Sequence, residues 1–274
     1  MTQSEGYVAK MHSGLGDVVQ YDLPLGEKTV ALNPLIGQTV RLEFTGVIQC
    51  VACSRLTKKS FNQGYCYPCF KKLAQCDTCI MSPERCHFAA GTCREPEWGE
   101  ANCNIDHFVY LANTSGLKVG ITRHSQIPTR WIDQGASQAL PIARVSSRHL
   151  SGLLEVQIAQ SVADKTAWQA MLKGVAEPMD LVVKRDEIKT LYASELAQLQ
   201  HTHGIQSIQW LEDQTPVDIA FPVTAYPTKV KALNFDKQAI VEGCLMGIKG
   251  QYLIFDTGVL NIRKFGGYEL RLSY

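Results

Sequence analysis

Nine of the ten cysteines in this chain lie between residues 50 and 103, and thiolate sulfur is a preferred ligand of soft metal ions. Four of them follow the spacing C-x2-C-x12-C-x2-C, namely Cys50, Cys53, Cys66 and Cys69. Each close pair can place two sulfurs on one turn, and the intervening loop returns the second pair to complete a tetrahedron. Because four thiolates close the coordination shell, this spacing predicts a structural Zn2+ site, with thiolate-bound iron as the alternative.

The remaining clustered cysteines predict a second metal site without fixing its ligands. We assign a second Zn2+ to four of them, Cys76, Cys79, Cys86 and Cys93. The alternatives for one of these positions are Cys103, His87 and His107. In the rival interpretation several of these residues are buried free thiols. That reading is weakened because a segment rich in polar residues and glycine has little apolar material for its own core. The chain is therefore expected to bind one or two structural Zn2+ ions.

Two short motifs follow the cysteines, FVY at 108–110 and KVG at 118–120. Arg130 comes next on a predicted short helix, and Glu155 lies near the start of a longer one. In their order these features resemble the GIY-YIG nuclease superfamily over about residues 107–203. The resemblance implies a small sheet with helices, and metal-dependent cleavage of phosphodiester bonds in DNA or RNA.

The resemblance implies a role for each matching side chain. The guanidinium of Arg130, joined by that of Arg123, would clamp two phosphate oxygens, as planar guanidinium groups do. Glu155 would hold a hydrated Mg2+ or Mn2+, which needs few protein ligands. The phenol of Tyr110 would orient or deprotonate water, and His124 would carry protons. These five residues are the predicted catalytic set.

One position departs from the superfamily pattern. Lys118 stands where the second motif of the family begins with tyrosine, and a primary ammonium accepts no proton unless its pKa is strongly lowered. We therefore assign Lys118 and Gly120 to substrate binding. The departure keeps two other functions open: a nucleic-acid-binding protein without catalysis, and an interaction scaffold held together by zinc.

Local patterning predicts the elements that position these residues. Residues 107–112 and 117–122 are rich in apolar and β-branched side chains, and the turn residues 113–116 join them, which predicts a hairpin. Pro128 suits the first turn of the short helix that carries Arg130.

Further along the chain the pattern predicts a strand at 139–146 and two long helices. The first helix begins at Ser151 as N-cap and runs to about Lys173. The second is capped by Asp186 and stops at Gly204. Together with the hairpin they predict a compact α+β unit.

The sequence near both ends of the chain has the pattern of short strands and turns that is typical of small β units. Residues 19–46 and 217–247 can be laid over each other as a weak repeat of strand and turn patterns. Two readings stay open, a pair of related units that pack together or close one barrel, and chance similarity. The fold prediction is α+β with four segments: 1–49, an N-terminal β unit; 50–104, the cysteine-rich segment; 105–205, the GIY-YIG-like domain; and 206–274, a C-terminal β domain.

The composition excludes some classes of function. The 274 residues carry a formal net charge of +1, so no field of the whole chain draws it to nucleic acid or membrane. No apolar run approaches the roughly 18 residues that a membrane span needs. A cysteine-rich chain of this kind suits a reducing compartment, so we expect a cytoplasmic protein whose partner is DNA or RNA.

Overall fold

The computed structural model describes residues 2–274 and confirms the α+β class. The strands are β1 (Gln3–Tyr7), β2 (His12–Gly14), β3 (Gln20–Leu25), β4 (Lys28–Ala31), β5 (Thr39–Ile48), β6 (His107–Asn113), β7 (Leu117–Arg123), β8 (Gln138–Val145), β9 (Ile208–Trp210), β10 (Val217–Asp218), β11 (Ile240–Lys249), β12 (Tyr252–Phe255), β13 (Gly258–Asn261) and β14 (Tyr268–Ser273). The helices are α1 (Tyr67–Lys72), α2 (Pro96–Asn102), α3 (Thr129–Asp133), α4 (Arg148–Ile158), α5 (Trp168–Met171), α6 (Leu181–Leu191) and α7 (Ala193–His203).

Strands from both ends of the chain form one six-stranded sheet, in the order β1-β14-β5-β11-β12-β13. The two flanking β units predicted at 1–49 and 206–274 thus share a sheet, because each supplies partners for strand edges that the other leaves open. The longest strands of the predicted repeat, β5 and β11, are antiparallel neighbours in it. Strands β2, β3 and β4 form a small meander that packs into the same core.

The central sheet has the order β10-β8-β6-β7, and β9 also pairs with β8. Side chains alternate between its two faces. On one face Val109 and Leu111 pack with the apolar sides of α4 and α6. On the other face Tyr110 and Ala112 join a core that includes α3 and the six-stranded sheet. The hairpin β6–β7 is as predicted, and it is the element that both cores share.

The two long helices differ from their predicted bounds. Helix α4 is capped by Ser147, whose hydroxyl accepts from the Leu150 N–H, and it ends at Ile158. The chain then runs beside β7, where the Val119 N–H donates to the Ala163 carbonyl at 2.8 Å, so the predicted extension of this helix is absent. The short helix α5 comes next, and Asp180 is the N-cap of the longer helix α6.

The second helix region is also divided. Asp186 lies inside α6 and bonds Arg185, so it does not cap the helix as predicted. A separate helix, α7, follows and ends before Gly204, as predicted. Among residues 2–274 no helix has the length and apolar character needed to cross a membrane.

Candidate functional site

The first cysteine set forms a tetrathiolate cluster. The sulfurs of Cys50, Cys53, Cys66 and Cys69 all lie within 4.8 Å of one another. The Sγ atoms of Cys53 and Cys66 are 3.8 Å apart. Sulfurs at about 2.3 Å from zinc at tetrahedral angles stand about 3.8 Å apart, so this geometry is compatible with structural Zn2+.

The backbone around this tetrathiolate cluster favours thiolate. The Cys66 N–H lies at the start of α1 and donates to Cys50 Sγ at 3.2 Å. Burial acts to raise the pKa of Cys50, but backbone N–H donors, Cys66 first among them, outweigh it and lower the pKa to about 6. A sulfur held as thiolate near neutral pH is the form that binds metal, so Cys50 is suited to the ion, whereas burial and then the neighbouring cysteines raise the pKa of Cys69.

The second cysteine set is divided by the fold. Four cysteines line one enclosed cavity: Cys79, Cys86, Cys93 and Cys103. Cys76 does not line it and lies instead toward the tetrathiolate cluster, where the charge of Cys50 helps to raise the pKa of Cys76, after burial as the main cause. The structure thus groups Cys103, predicted as an alternative ligand, with Cys79, Cys86 and Cys93. It leaves the predicted ligand Cys76 outside this group.

The two histidines considered as alternative zinc ligands have different surroundings. His87 lines the same cavity, and its Nδ1 is 2.8 Å from the Thr92 hydroxyl. His107 is fully buried at the start of β6, with Nδ1 2.8 Å from the Ile105 carbonyl. Burial lowers the pKa of His107 to about 4, so this ring is neutral at physiological pH.

Four of the residues predicted from the nuclease resemblance, Tyr110, Lys118, Arg130 and Glu155, are near enough for the charges of Arg130 and Glu155 to act on both Tyr110 and Lys118. We call them the polar cluster. Burial raises the pKa of Tyr110, the charge of Arg130 lowers it, and the charge of Glu155 raises it again. The same neighbours affect Lys118, whose pKa is lowered to about 8 by burial and further by Arg130, while Glu155 opposes the change. Residues far apart in the chain thus share one electrostatic environment.

Arg130 has unused hydrogen-bonding capacity in this polar cluster. Its Nε is buried and has no hydrogen-bond partner. Glu155 is partly buried, and burial raises its pKa to about 7 although the charge of Lys118 acts in the opposite direction. A buried guanidinium donor without a partner costs free energy unless a ligand satisfies it, so the arrangement suits an anion.

Gly120 supports the phenol rather than offering a side chain to a ligand. It is paired with Tyr110 across the β6–β7 hairpin. A Cβ at position 120 would lie 2.6 Å from the Tyr110 hydroxyl oxygen and 2.7 Å from the ring carbon that carries it. The missing side chain therefore provides the space that the fully buried phenol fills.

Arg123 and His124 are not brought into the polar cluster. The guanidinium of Arg123 hydrogen-bonds the side-chain carbonyl of Asn102 on α2. His124 is exposed, and its ring packs on Phe108 with centroids 5.6 Å apart. Arg123 is the last residue of β7 and His124 follows it, at the end of the strand away from Lys118, and the strand direction carries them toward the cysteine-rich segment.

Two residues at the polar cluster escaped sequence reasoning. Gln134 accepts a hydrogen bond from the Tyr110 hydroxyl at 2.9 Å. Asp164 follows the Ala163 carbonyl bonded to β7, and its charge raises the pKa of Glu155. Gln134 follows directly after α3, the helix that carries Arg130, and this position was the one feature of the sequence that could have pointed to it.

Helix α3, which carries Arg130, is anchored at its last residue. Asp133 forms an ion pair with Lys10 at 2.5 Å and accepts a hydrogen bond from Gln251 at 2.9 Å. The side-chain amide of Gln251 also bonds the backbone of Met11: its oxygen accepts from the Met11 N–H and its nitrogen donates to the Met11 carbonyl. The β units at the two ends of the chain therefore hold, through Lys10 and Gln251, the helix that presents the guanidinium.

The raised pKa of Glu155 predicts a pH-dependent gain in stability for Glu155→Gln. The pKa is about 7 in the folded protein against an ordinary value of 4.5, so folding disfavours the charged carboxylate. The contribution of Glu155 to the free energy of unfolding therefore falls as the pH rises from 4.5, its ordinary pKa in the unfolded chain, through about 7, its pKa in the folded protein. We expect the stability of Glu155→Gln relative to wild type to increase by about 2 kcal/mol between pH 5.5 and pH 8 in urea unfolding with buffered zinc.

The matched control is Glu187→Gln, which removes an exposed carboxylate on α6 that pairs only with Lys184. For this variant the difference from wild type should stay constant over the same pH range. Parallel curves for Glu155→Gln and wild type would contradict the assigned pKa.

The chain was also compared with known proteins. A search of curated proteins and a search of solved structures each found no match. The profile of one protein family does match, over residues 37–270, a range that contains both the tetrathiolate cluster and the polar cluster. The chain therefore belongs to the family described as "Protein of unknown function (DUF2797)".

Proposed function

We propose that this protein cleaves phosphodiester bonds of DNA or RNA in a metal-dependent reaction at the polar cluster, in the manner of the GIY-YIG nucleases that its hairpin resembles. The observation that carries the proposal is the buried, unpartnered Nε of Arg130 beside the Tyr110 phenol and the Glu155 carboxylate. Phenol, guanidinium and carboxylate are the three groups that the resemblance implies, and they come from β6, α3 and α4.

Each group has a separate task in the proposed reaction. Arg130 donates to the phosphate and neutralises charge that develops on its oxygens. Lys118 adds a second positive charge in the same place. Glu155 would hold Mg2+ or Mn2+, which supplies Lewis-acid chemistry when bound. The buried Tyr110 hydroxyl, fixed by its bond to Gln134, would hold the Arg130 guanidinium in position for the attack.

We further infer that Zn2+ occupies the tetrathiolate cluster and has a structural role. The four thiolates leave no open position for a reacting water. None of the ten cysteines, all of which lie within residues 2–274, forms a disulfide, which supports a reducing compartment such as the cytosol.

Nicking of supercoiled plasmid and cleavage of structured RNA, each with Mg2+ or Mn2+, test the proposed activity. Arg130→Ala should lower the cleavage rate at least about 100-fold, as loss of a donor to transition-state charge does. The control is Arg144→Ala, which removes an exposed arginine on β8 paired with Asp106 and should cleave at the wild-type rate. Equal rates for Arg130→Ala and wild type would refute the assigned site.

Nucleic-acid binding without catalysis is the second candidate function, and Lys118 favours it. This buried lysine stands where the superfamily has its second tyrosine, and with Arg130 it places two cations in the polar cluster, opposed by the carboxylates of Glu155 and Asp164. No products with any divalent metal, together with salt-sensitive binding that Glu155→Gln retains and Arg130→Ala loses, would establish this second function instead.

A further inference from the structure

A second group of thiols lies beneath α4, away from the polar cluster. Cys79 and Cys103 are buried, Cys86 and Cys93 are half-buried, and all four line the same enclosed cavity as free thiols. Four unpaired thiols around a single void give weak packing, since apolar side chains would fill the space better. Their shared position therefore points to a ligand that sulfur holds.

We propose that these four cysteines bind a second Zn2+ ion. Two of the ligands come from fixed turns: Cys79 follows Asp77, whose carboxylate accepts the Cys79 N–H at 3.4 Å, and Cys103 ends α2 with its N–H on the Gly99 carbonyl at 2.7 Å. Cys86 and Cys93 lie on the less buried connection between them, which can close on the ion. Four thiolates complete a tetrahedral shell, so the ion is structural.

The charges around the cavity match such a site. Zinc with four thiolates has a net charge of −2, which requires nearby cations when it is buried. Arg148 supplies one: its backbone N–H donates to the Cys103 carbonyl at 2.8 Å, its side chain donates to the Ile80 carbonyl at 2.8 Å, and its Nε is buried without a partner. The anionic zinc site accounts for this otherwise costly buried guanidinium.

A rival ligand set lies in the same region. The ligand atoms of Asp77, Cys79 and His87 are within 4.8 Å of one another. The carboxylate of Asp77, however, forms an ion pair with Arg94 at 2.5 Å and also caps the turn at Cys79. Because Asp77 already has these partners, we assign the ion to the four thiolates.

This site also supports the helix that carries Glu155. The turn at Pro83–Arg85, between Cys79 and Cys86, packs directly on Gly152 of α4, where a Cβ would lie 2.3 Å from the Glu84 nitrogen. Gly152 is one helical turn before Glu155. Metal at the second site would therefore hold α4 in place, and its relevance to cleavage, unlike the metal site itself, rests on the proposed function.

The zinc content of the full-length protein, measured by native mass spectrometry and elemental analysis, tests the second site without any activity assay. Wild type should hold two Zn2+ ions and Cys103→Ser one. The matched control is Cys76→Ser, a buried cysteine of the same segment outside the cavity, which should keep both ions. X-ray absorption of the wild type should show about four sulfurs per zinc at about 2.3 Å.

Three outcomes would overturn the proposal. One is a single zinc in the wild type. Another is two zinc ions in Cys103→Ser with loss of one in Asp77→Asn, which would establish the rival set. The third is loss of one ion from Cys76→Ser. If Cys103→Ser does not fold, Cys86→Ser on the half-buried connection replaces it, and retention of the ion at the tetrathiolate cluster reports that the rest of the chain is folded.

Discussion

Replacing Cys66 by serine should remove the zinc ion of the tetrathiolate cluster and unfold the segment around residues 50–70. Cys66 is buried and contributes one of the four sulfurs, 3.8 Å from that of Cys53, so its loss leaves the shell with three thiolates. Metal binding by such clusters is coupled to folding, with about 10–16 kcal/mol of binding free energy in zinc-finger peptides. We expect a loss of about 5 kcal/mol or more in the free energy of unfolding, measured by urea titration, and one zinc fewer by elemental analysis.

The effect of Cys66→Ser should spread beyond its own segment because the tetrathiolate cluster is docked on the six-stranded sheet. The Gln49 N–H donates to the Gly267 carbonyl at 2.7 Å, and Arg263 bonds the side chain of Gln63 at 2.7 Å. Cys244→Ser is the control, since this half-buried cysteine lies on β11 outside the cysteine-rich segment. It should keep all bound zinc and change stability by less than about 1 kcal/mol. Full zinc content in Cys66→Ser would contradict the assignment.

Replacing Gly152 by alanine should force α4 away from the cysteine-rich segment. The new methyl group would lie 2.3 Å from the Glu84 nitrogen and 2.5 Å from the Pro83 carbonyl carbon. Both are backbone atoms, so no side-chain rotation relieves the overlap. Overpacking typically costs about 1–3 kcal/mol, and we expect the upper part of that range in urea unfolding.

Gly152→Ala should also lower cleavage, because Glu155 is one turn further along the same helix and its position depends on this contact. Gly14→Ala is the matched control, since a Cβ there meets nothing within 4 Å. It should preserve both stability and cleavage. Wild-type stability in Gly152→Ala would show that the turn at Pro83–Arg85 yields easily and does not hold the helix.

Features set by neighbouring residues could be predicted from the sequence. The β6–β7 hairpin follows from alternating apolar residues and a polar turn, both of which are local. The first cysteine set follows from two C-x2-C pairs, since each pair defines its own turn. Tyr110, Arg130 and Glu155 share one environment as the family resemblance implies, although it is tertiary structure that unites them.

Features decided by distant partners could not be predicted. The division between Cys76 and Cys103 depends on which side of the cysteine-rich segment each turn faces, and spacing does not encode that. Helix α4 stops at Ile158 because the next residues bond to β7, and no local stop signal marks the position. Arg123 was predicted to join Arg130 in clamping phosphate, whereas its partner Asn102 lies on a helix that precedes the hairpin.

The location of β14 inside the six-stranded sheet, between β1 and β5, has a consequence for biosynthesis. Ribosomes make β1 and β5 long before β14 emerges, so during translation their facing edges have no partner. Exposed strand edges invite pairing with other nascent chains. The central hairpin and its helices, whose contacts are closer in sequence, can fold before β14 is available to complete the six-stranded sheet. Completion of that sheet therefore requires β14 to have left the ribosome, and chaperones that shield strand edges should raise the yield of this protein.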